Sequence, residues 1–171
     1  MKTWLKVLVI LLIGVLLALL FWWFQPWRLV TKSEISEPLS SAQSVSGAVI
    51  SEGPTQLYAG TFISHEHQTV GAAKVVELAD GSRILRLEGF ETSDGPDLEV
   101  WLAEAPVITG YDGWFVADDE RYVSLGKLKG TSGEQNYDIP RDLDLDIHSS
   151  AVIWCARFAV SFGAAELLPS T

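Results

Sequence analysis

Ala72-Ala73-Lys74-Val75-Val76-Glu77-Leu78, the pair Asp80-Gly81, and Arg83-Ile84-Leu85-Arg86-Leu87-Glu88-Gly89-Phe90 together decide the fold class. Two apolar runs flank an Asp-Gly turn, so the segment reads as a β-hairpin. The same texture continues outward in both directions. Leu57–Ile63 is a further short run upstream. Downstream, Asp94-Gly95-Pro96 marks another turn, and Leu98, Val100 and Leu102 then alternate around Glu99 in the pattern of a half-buried strand. Tyr122–Leu128, Asn136–Ile139, Ala151–Phe158 and a short Ala164–Leu168 follow. From residue 55 on, no stretch holds a 3.6-residue period over about twelve residues, and no internal repeat is visible. Several short strands separated by turn residues predict an all-β domain over 55–171, an antiparallel β-sandwich or barrel-like fold.

Upstream of this domain the sequence changes character. Val7–Phe24 is uninterrupted apolar sequence. As a helix it spans about 27 Å, near the ~30 Å hydrocarbon core of a bilayer. Trp22 and Trp23, with Trp27 just beyond, suit a membrane interface, and Arg28 and Lys32 suit headgroups. The run outlasts a signal-peptide core and ends in bulky aromatics rather than small residues, which predicts an uncleaved anchor over 7–24 after a short tail, 1–6. The positive-inside comparison is nearly balanced, with Lys2 and Lys6 on one side and Arg28 and Lys32 on the other. A six-residue tail holds no domain, so the expected topology is N-terminus cytoplasmic and the rest outside. Residues 31–54, rich in Ser with Glu, Gly and Pro, read as a flexible linker.

Charge is divided unevenly along the 171 residues. From Ser33 on, eight Lys and Arg face 22 Asp and Glu, a balance of −14. Such a surface repels nucleic-acid phosphates and favours cations or basic protein partners. The bilayer is the expected partner of residues 7–24. A single cysteine, Cys155, rules out an intrachain disulfide, so packing alone must hold the domain together.

Cys155 is the first candidate for chemistry. In a strand running through Ala151–Phe158, Ile153, Cys155 and Arg157 share one face, with Arg157 about 7 Å along from the thiol. A guanidinium there stabilises a thiolate. The competing expectation is a buried, inert cysteine that fills the core. His65-Glu66-His67 is the second candidate. In extended chain both imidazoles point the same way, as two metal ligands require, with His148 or Cys155 as the third. The third is Asp142, Asp144 and Asp146, alternating with Leu143, Leu145 and Ile147. It reads either as three hard oxygen ligands for calcium or as an ordinary edge strand. A Gly-x-Ser-x-Gly elbow, a phosphate loop, a His-Glu-x-x-His helix and a paired-cysteine redox motif are all missing, which argues against a hydrolase or kinase; no dehydrogenase signature is present either.

Three stretches in order give a resemblance. The first is Gly60-Thr61-Phe62 with His67 and Gly71. The second is Leu87-Glu88-Gly89-Phe90 leading to Gly95-Pro96-Asp97-Leu98-Glu99-Val100-Trp101-Leu102. The third runs from Leu125-Gly126-Lys127-Leu128-Lys129-Gly130 and Gly133-Glu134-Gln135-Asn136-Tyr137-Asp138-Ile139-Pro140 to Val152-Ile153-Trp154-Cys155-Ala156-Arg157-Phe158 and Phe162-Gly163-Ala164-Ala165. Over residues 58–168 the chain resembles the DM-thirteen domain family. The resemblance implies an all-β extracytoplasmic domain with an electron-transfer role centred on the family's cysteine, here Cys155. Because one cysteine forms no dithiol couple within the chain, that role calls for a metal, a bound cofactor or a redox partner. The alternative is a non-catalytic binding or adhesion module in which Cys155 is structural.

Overall fold

The computed structural model describes residues 2–25, 32–39 and 53–170. Trp27, Arg28 and most of the stretch read as a linker lie outside the described residues. Helix α1 spans Lys2–Phe24. Within it, Thr3–Phe24 is long and apolar enough to cross a membrane, and all of its residues are exposed.

The remainder is a β-sandwich. Its strands are β1 (Glu34–Ser36), β2 (Thr55–Thr61), β3 (Ile63–Ser64), β4 (Val70–Glu77), β5 (Arg83–Glu91), β6 (Leu98–Ala103), β7 (Tyr122–Lys127), β8 (Ser132–Ile139), β9 (Ser150–Cys155), β10 (Val160–Glu166) and β11 (Leu168–Pro169). One sheet has the order β1-β8-β5-β4-β2-β11, the other β3-β10-β9-β6-β7. Neighbours are antiparallel except β1, which runs parallel to β8. The expected hairpin is β4–β5, with Val75 opposite Leu85 and Glu77 opposite Arg83. Gly81 takes a φ of 76°, and the Asp80 carboxylate accepts the Ser82 N–H at 2.9 Å, which closes the turn.

Strand alternation builds the core. Val75, Leu85, Leu87, Tyr137 and Ile139 of the first sheet meet Val100, Leu102, Ile153 and Cys155 of the second, all buried. The second sheet also buries part of its outer face. There Trp101 and Trp154 pack with Ala105 and Ala117 from the long connection between β6 and β7. The two indoles stack at 5.0 Å, and Tyr122 lies parallel to Trp101 at 3.8 Å.

Three local expectations change. Glu34–Ser36, inside the stretch read as a linker, pairs with β8 as an edge strand. Asp142, Asp144 and Asp146 do not lie on a strand. Asp144 accepts the Asp146 N–H at 3.0 Å in a tight turn, Tyr58 donates its hydroxyl to Asp146 at 2.7 Å, and Leu145 drops into the core. Finally, β9 stops at Cys155 rather than continuing to Phe158. The chain turns there, with the Phe158 N–H donating to the Cys155 carbonyl at 3.2 Å and Ala159 at a φ of 50°.

Candidate functional site

Cys155 sits at the last position of β9, opposite Leu98 of β6 and Val160 of β10, with no exposed surface. Burial pushes its thiol pKa up, with the charge of Asp97 adding slightly. The backbone N–H groups of the turn oppose this without reversing it. The thiol is therefore protonated near neutral pH and shielded from reagents.

Because β9 ends at Cys155, Arg157 is carried onto the turn rather than along the cysteine's face. Its guanidinium donates to the Trp23 carbonyl at 2.9 Å and lies 5.3 Å from the centre of the Trp23 ring. Next to it, Phe158 stacks on Phe24 at 5.8 Å. The β9–β10 turn thus docks on the last turn of α1.

The two histidines have separate partners, because the chain bends after β3 instead of staying extended. His65 is buried. Its Nδ1 is 2.8 Å from the Ser161 hydroxyl, and burial lowers its pKa, opposed by the Ile108 carbonyl. It is a neutral core histidine. His67 lies with its ring 4.0 Å from that of Phe162 and its Nε2 2.5 Å from the Glu66 carboxylate. His148 is elsewhere, with its Nδ1 3.0 Å from the Asp144 carbonyl oxygen. Among the described residues no three His, Cys, Asp or Glu side chains gather as a metal site requires.

What the fold does assemble is a cavity of about 520 Å³ where the sandwich meets the end of α1. Its walls are aromatic: Phe24, Tyr111, Trp114, Phe115, Phe158 and Phe162. Tyr111, Trp114 and Phe115 come from one 3-10 turn, Tyr111–Trp114, and the residue after it, and their rings cluster within 5.1–6.3 Å of one another. The polar edge is His67 with Glu66, together with Asp94 and Gln25. Val160 and Phe162 of β10 form the side nearest Cys155, and both belong to the core that holds the thiol. Sequence reading singled out His67 but missed Tyr111, Trp114 and Phe115. The visible signal was four aromatic or glycine residues in five, Tyr111-Asp112-Gly113-Trp114-Phe115, inside a connection without strand period. Gly113 is required there, because a Cβ would lie 1.8 Å from the Ile108 carbonyl oxygen.

Comparison with known proteins agrees with this geometry at the level of family. A family model described as Electron transfer DM13 matches residues 61–167, from the last residue of β2 to the residue after β10. Neither the curated proteins nor the solved structures contain a match to the chain. The match takes in the second sheet, strands β4, β5 and β8 of the first, Cys155, His67 and the cavity walls other than Phe24, and the chain belongs to the DM13 electron-transfer domain family.

Proposed function

We propose that the chain is a membrane-tethered electron-transfer domain, with α1 in the bilayer, the N-terminus cytoplasmic and the sandwich extracytoplasmic. The observation that carries the reading is the family match over most of the sandwich. The tether is supported by the unburied apolar length of α1. For the topology, Lys2 and Lys6 flank the start of α1, and the long segment beyond it, with its balance of −14, translocates largely regardless of acidic charge. The same charge favours a basic or uncharged redox partner over an anionic one.

Within this reading, Cys155 is a core side chain in the resting fold, and electrons exchange with a group held near it rather than with the thiol. Its burial and raised pKa support that assignment. Native full-length protein in detergent micelles should therefore leave Cys155 unlabelled by a neutral maleimide at neutral pH, and label fully once urea unfolds it. Fast labelling of the native protein would restore Cys155 as the redox centre.

Membranes carrying the chain and supplied with a respiratory donor should reduce added ferricyanide faster than membranes without it. Cys155→Ala should keep that increment. Equal rates with and without the chain would favour a second reading, a non-catalytic binding module, to which the buried thiol also lends support. External protease on intact cells should remove the sandwich; protection would reverse the topology.

A further inference from the structure

We propose that the aromatic cavity at the end of α1 binds an uncharged, planar, lipid-soluble ring of the quinone class. The redox sense of this ligand rests on the electron-transfer reading; its shape and polarity rest on the cavity.

The first argument is shape. A volume of about 520 Å³ falls within the usual ~300–1,000 Å³ of small-molecule sites. Its walls are ring faces and edges, which accept a flat ring by offset or edge-to-face stacking. Tyr111 is 66% exposed and Phe115 and Phe158 about 40%, so these rings are turned outward and leave stacking surface unused.

Polarity is the second. Among the described residues the cavity lining includes Glu66 and Asp94 and no lysine or arginine. Phosphate-bearing cofactors, such as dinucleotides and flavin nucleotides, are usually held by Arg or Lys, which the described lining does not supply. What remains is a ligand with few, uncharged polar atoms. His67 supplies the matching hydrogen-bonding group at the rim, its ring packed on Phe162 and tied to Glu66. With Nε2 at the Glu66 carboxylate, Nδ1 is the atom left to meet a polar group of the ring.

The third is access. Phe24 is the last residue of α1 and also a cavity wall. The mouth therefore lies where the chain leaves the hydrocarbon, and a ring dissolved in the bilayer reaches it without crossing bulk water. On the inner side, Val160 pairs with Cys155 across β9 and β10, so a ring seated here lies against the core of the domain. The assignment concerns binding; no electron or proton step is ascribed to the cavity.

An aromatic box with carboxylates also attracts quaternary ammonium ions. Here Glu66 is engaged by His67, which weakens its pull on such a cation. The test includes this competitor.

Full-length protein in dodecyl maltoside micelles is titrated with decylubiquinone while tryptophan fluorescence is followed. Saturable quenching is expected, and Trp114→Phe should remove most of it. His67→Leu should raise the half-saturating concentration about tenfold, the effect of one hydrogen bond. Phe158→Ala, at an exposed position on the cavity wall, should weaken binding severalfold with an unchanged melting temperature. Quenching that rises in proportion to quinone per micelle and is equal in all variants would be partition alone, and would overturn the proposal. A saturable response to tetramethylammonium with none to the quinone would overturn it in favour of a cation site. Saturable quinone binding without any gain in ferricyanide reduction would support the site and sink the electron-transfer reading. A gain in reduction without saturable binding would do the reverse.

Discussion

Trp154→Ala is expected to remove a large part of the folding free energy, about 3–5 kcal/mol for deleting a buried aromatic side chain. A small domain holds only ~5–15 kcal/mol in total. Trp154 is 2% exposed on the outer face of the β9 sheet, stacked on Trp101 and covered by the β6–β7 connection with Ala105 and Ala117. Its deletion leaves a void between a rigid sheet and small alanine side chains, which cannot swing in to fill it. Trp101 would keep Tyr122 on its other face, and its indole N–H would still donate to the Glu99 carboxylate at 2.8 Å. The Trp101 ring therefore stays fixed over the hole rather than collapsing into it. Urea unfolding of the full chain in micelles, read by near-ultraviolet circular dichroism, measures the loss and reports the indole stack directly. Tyr122→Ala serves as the comparison. That ring is 44% exposed, and its removal should cost ~1 kcal/mol, the scale of one aromatic pair. A Trp154→Ala protein within about 1 kcal/mol of wild type would mean that the outer layer adds little to stability, and that the inner core alone holds the sandwich.

Much of this architecture could be read from the sequence because strand alternation and turn chemistry agreed. The β4–β5 hairpin needed only two apolar runs and Asp80-Gly81. Leu98, Val100 and Leu102 pointed inward as their period of two required. Where the reading failed, a local competitor had won. The Asp–Leu alternation of residues 142–147 imitates a strand, but Asp144 bonds its own backbone two residues on, an alternative that aspartate offers readily. The end of β9 was hidden because its turn uses Ala159 at positive φ, a conformation usually signalled by glycine. That one turn moved Arg157 from Cys155 to Trp23. Of the site, His67 was visible as a ligand-capable residue. The aromatic walls were not, because Tyr111, Trp114, Phe158 and Phe24 come from three distant segments that only the sandwich and α1 bring together. No period marks such a convergence.

Gln135→Leu should cost about as much as the loss of Trp154, though it removes almost no volume. Gln135 is wholly buried on β8 and spans a loop. Its Nε2 donates to the Gly130 carbonyl at 2.8 Å, and its Oε1 accepts from the Gly130 N–H at 3.1 Å and the Tyr137 hydroxyl at 2.8 Å. The Tyr137 oxygen in turn accepts the Lys129 N–H at 3.0 Å. Leucine strands three buried polar groups toward the lower end of roughly 1–3 kcal/mol each, because Tyr137 keeps the Lys129 N–H, giving on the order of 3–6 kcal/mol. A water that fits the site would lower the cost, so the glutamate variant is the sharper test. Gln135→Glu keeps the acceptor but, when ionised, loses the donor to Gly130 and buries a charge. When protonated, it regains the donor. Burial raises its folded pKa above the ~4.3 of an unfolded glutamate, so the stabilising protonated form is fully present below that value and lost as pH rises through the folded pKa. The variant should therefore approach wild-type stability in acid and fall well below it at neutral pH. The unmodified network carries its own signature at the other end of the scale. Tyr137 is pushed up to about 12, mainly by burial, with the Lys129 N–H opposing. Against an unfolded value near ~10, its contribution is complete below that pH and fades as pH climbs towards the folded value. Wild-type protein should lose stability over this alkaline window, while Tyr137→Phe loses less. Urea midpoints across both pH ranges give the answer. A Gln135→Glu protein whose stability does not rise in acid would show that the clamp on Gly130 is not closed by the side-chain donor.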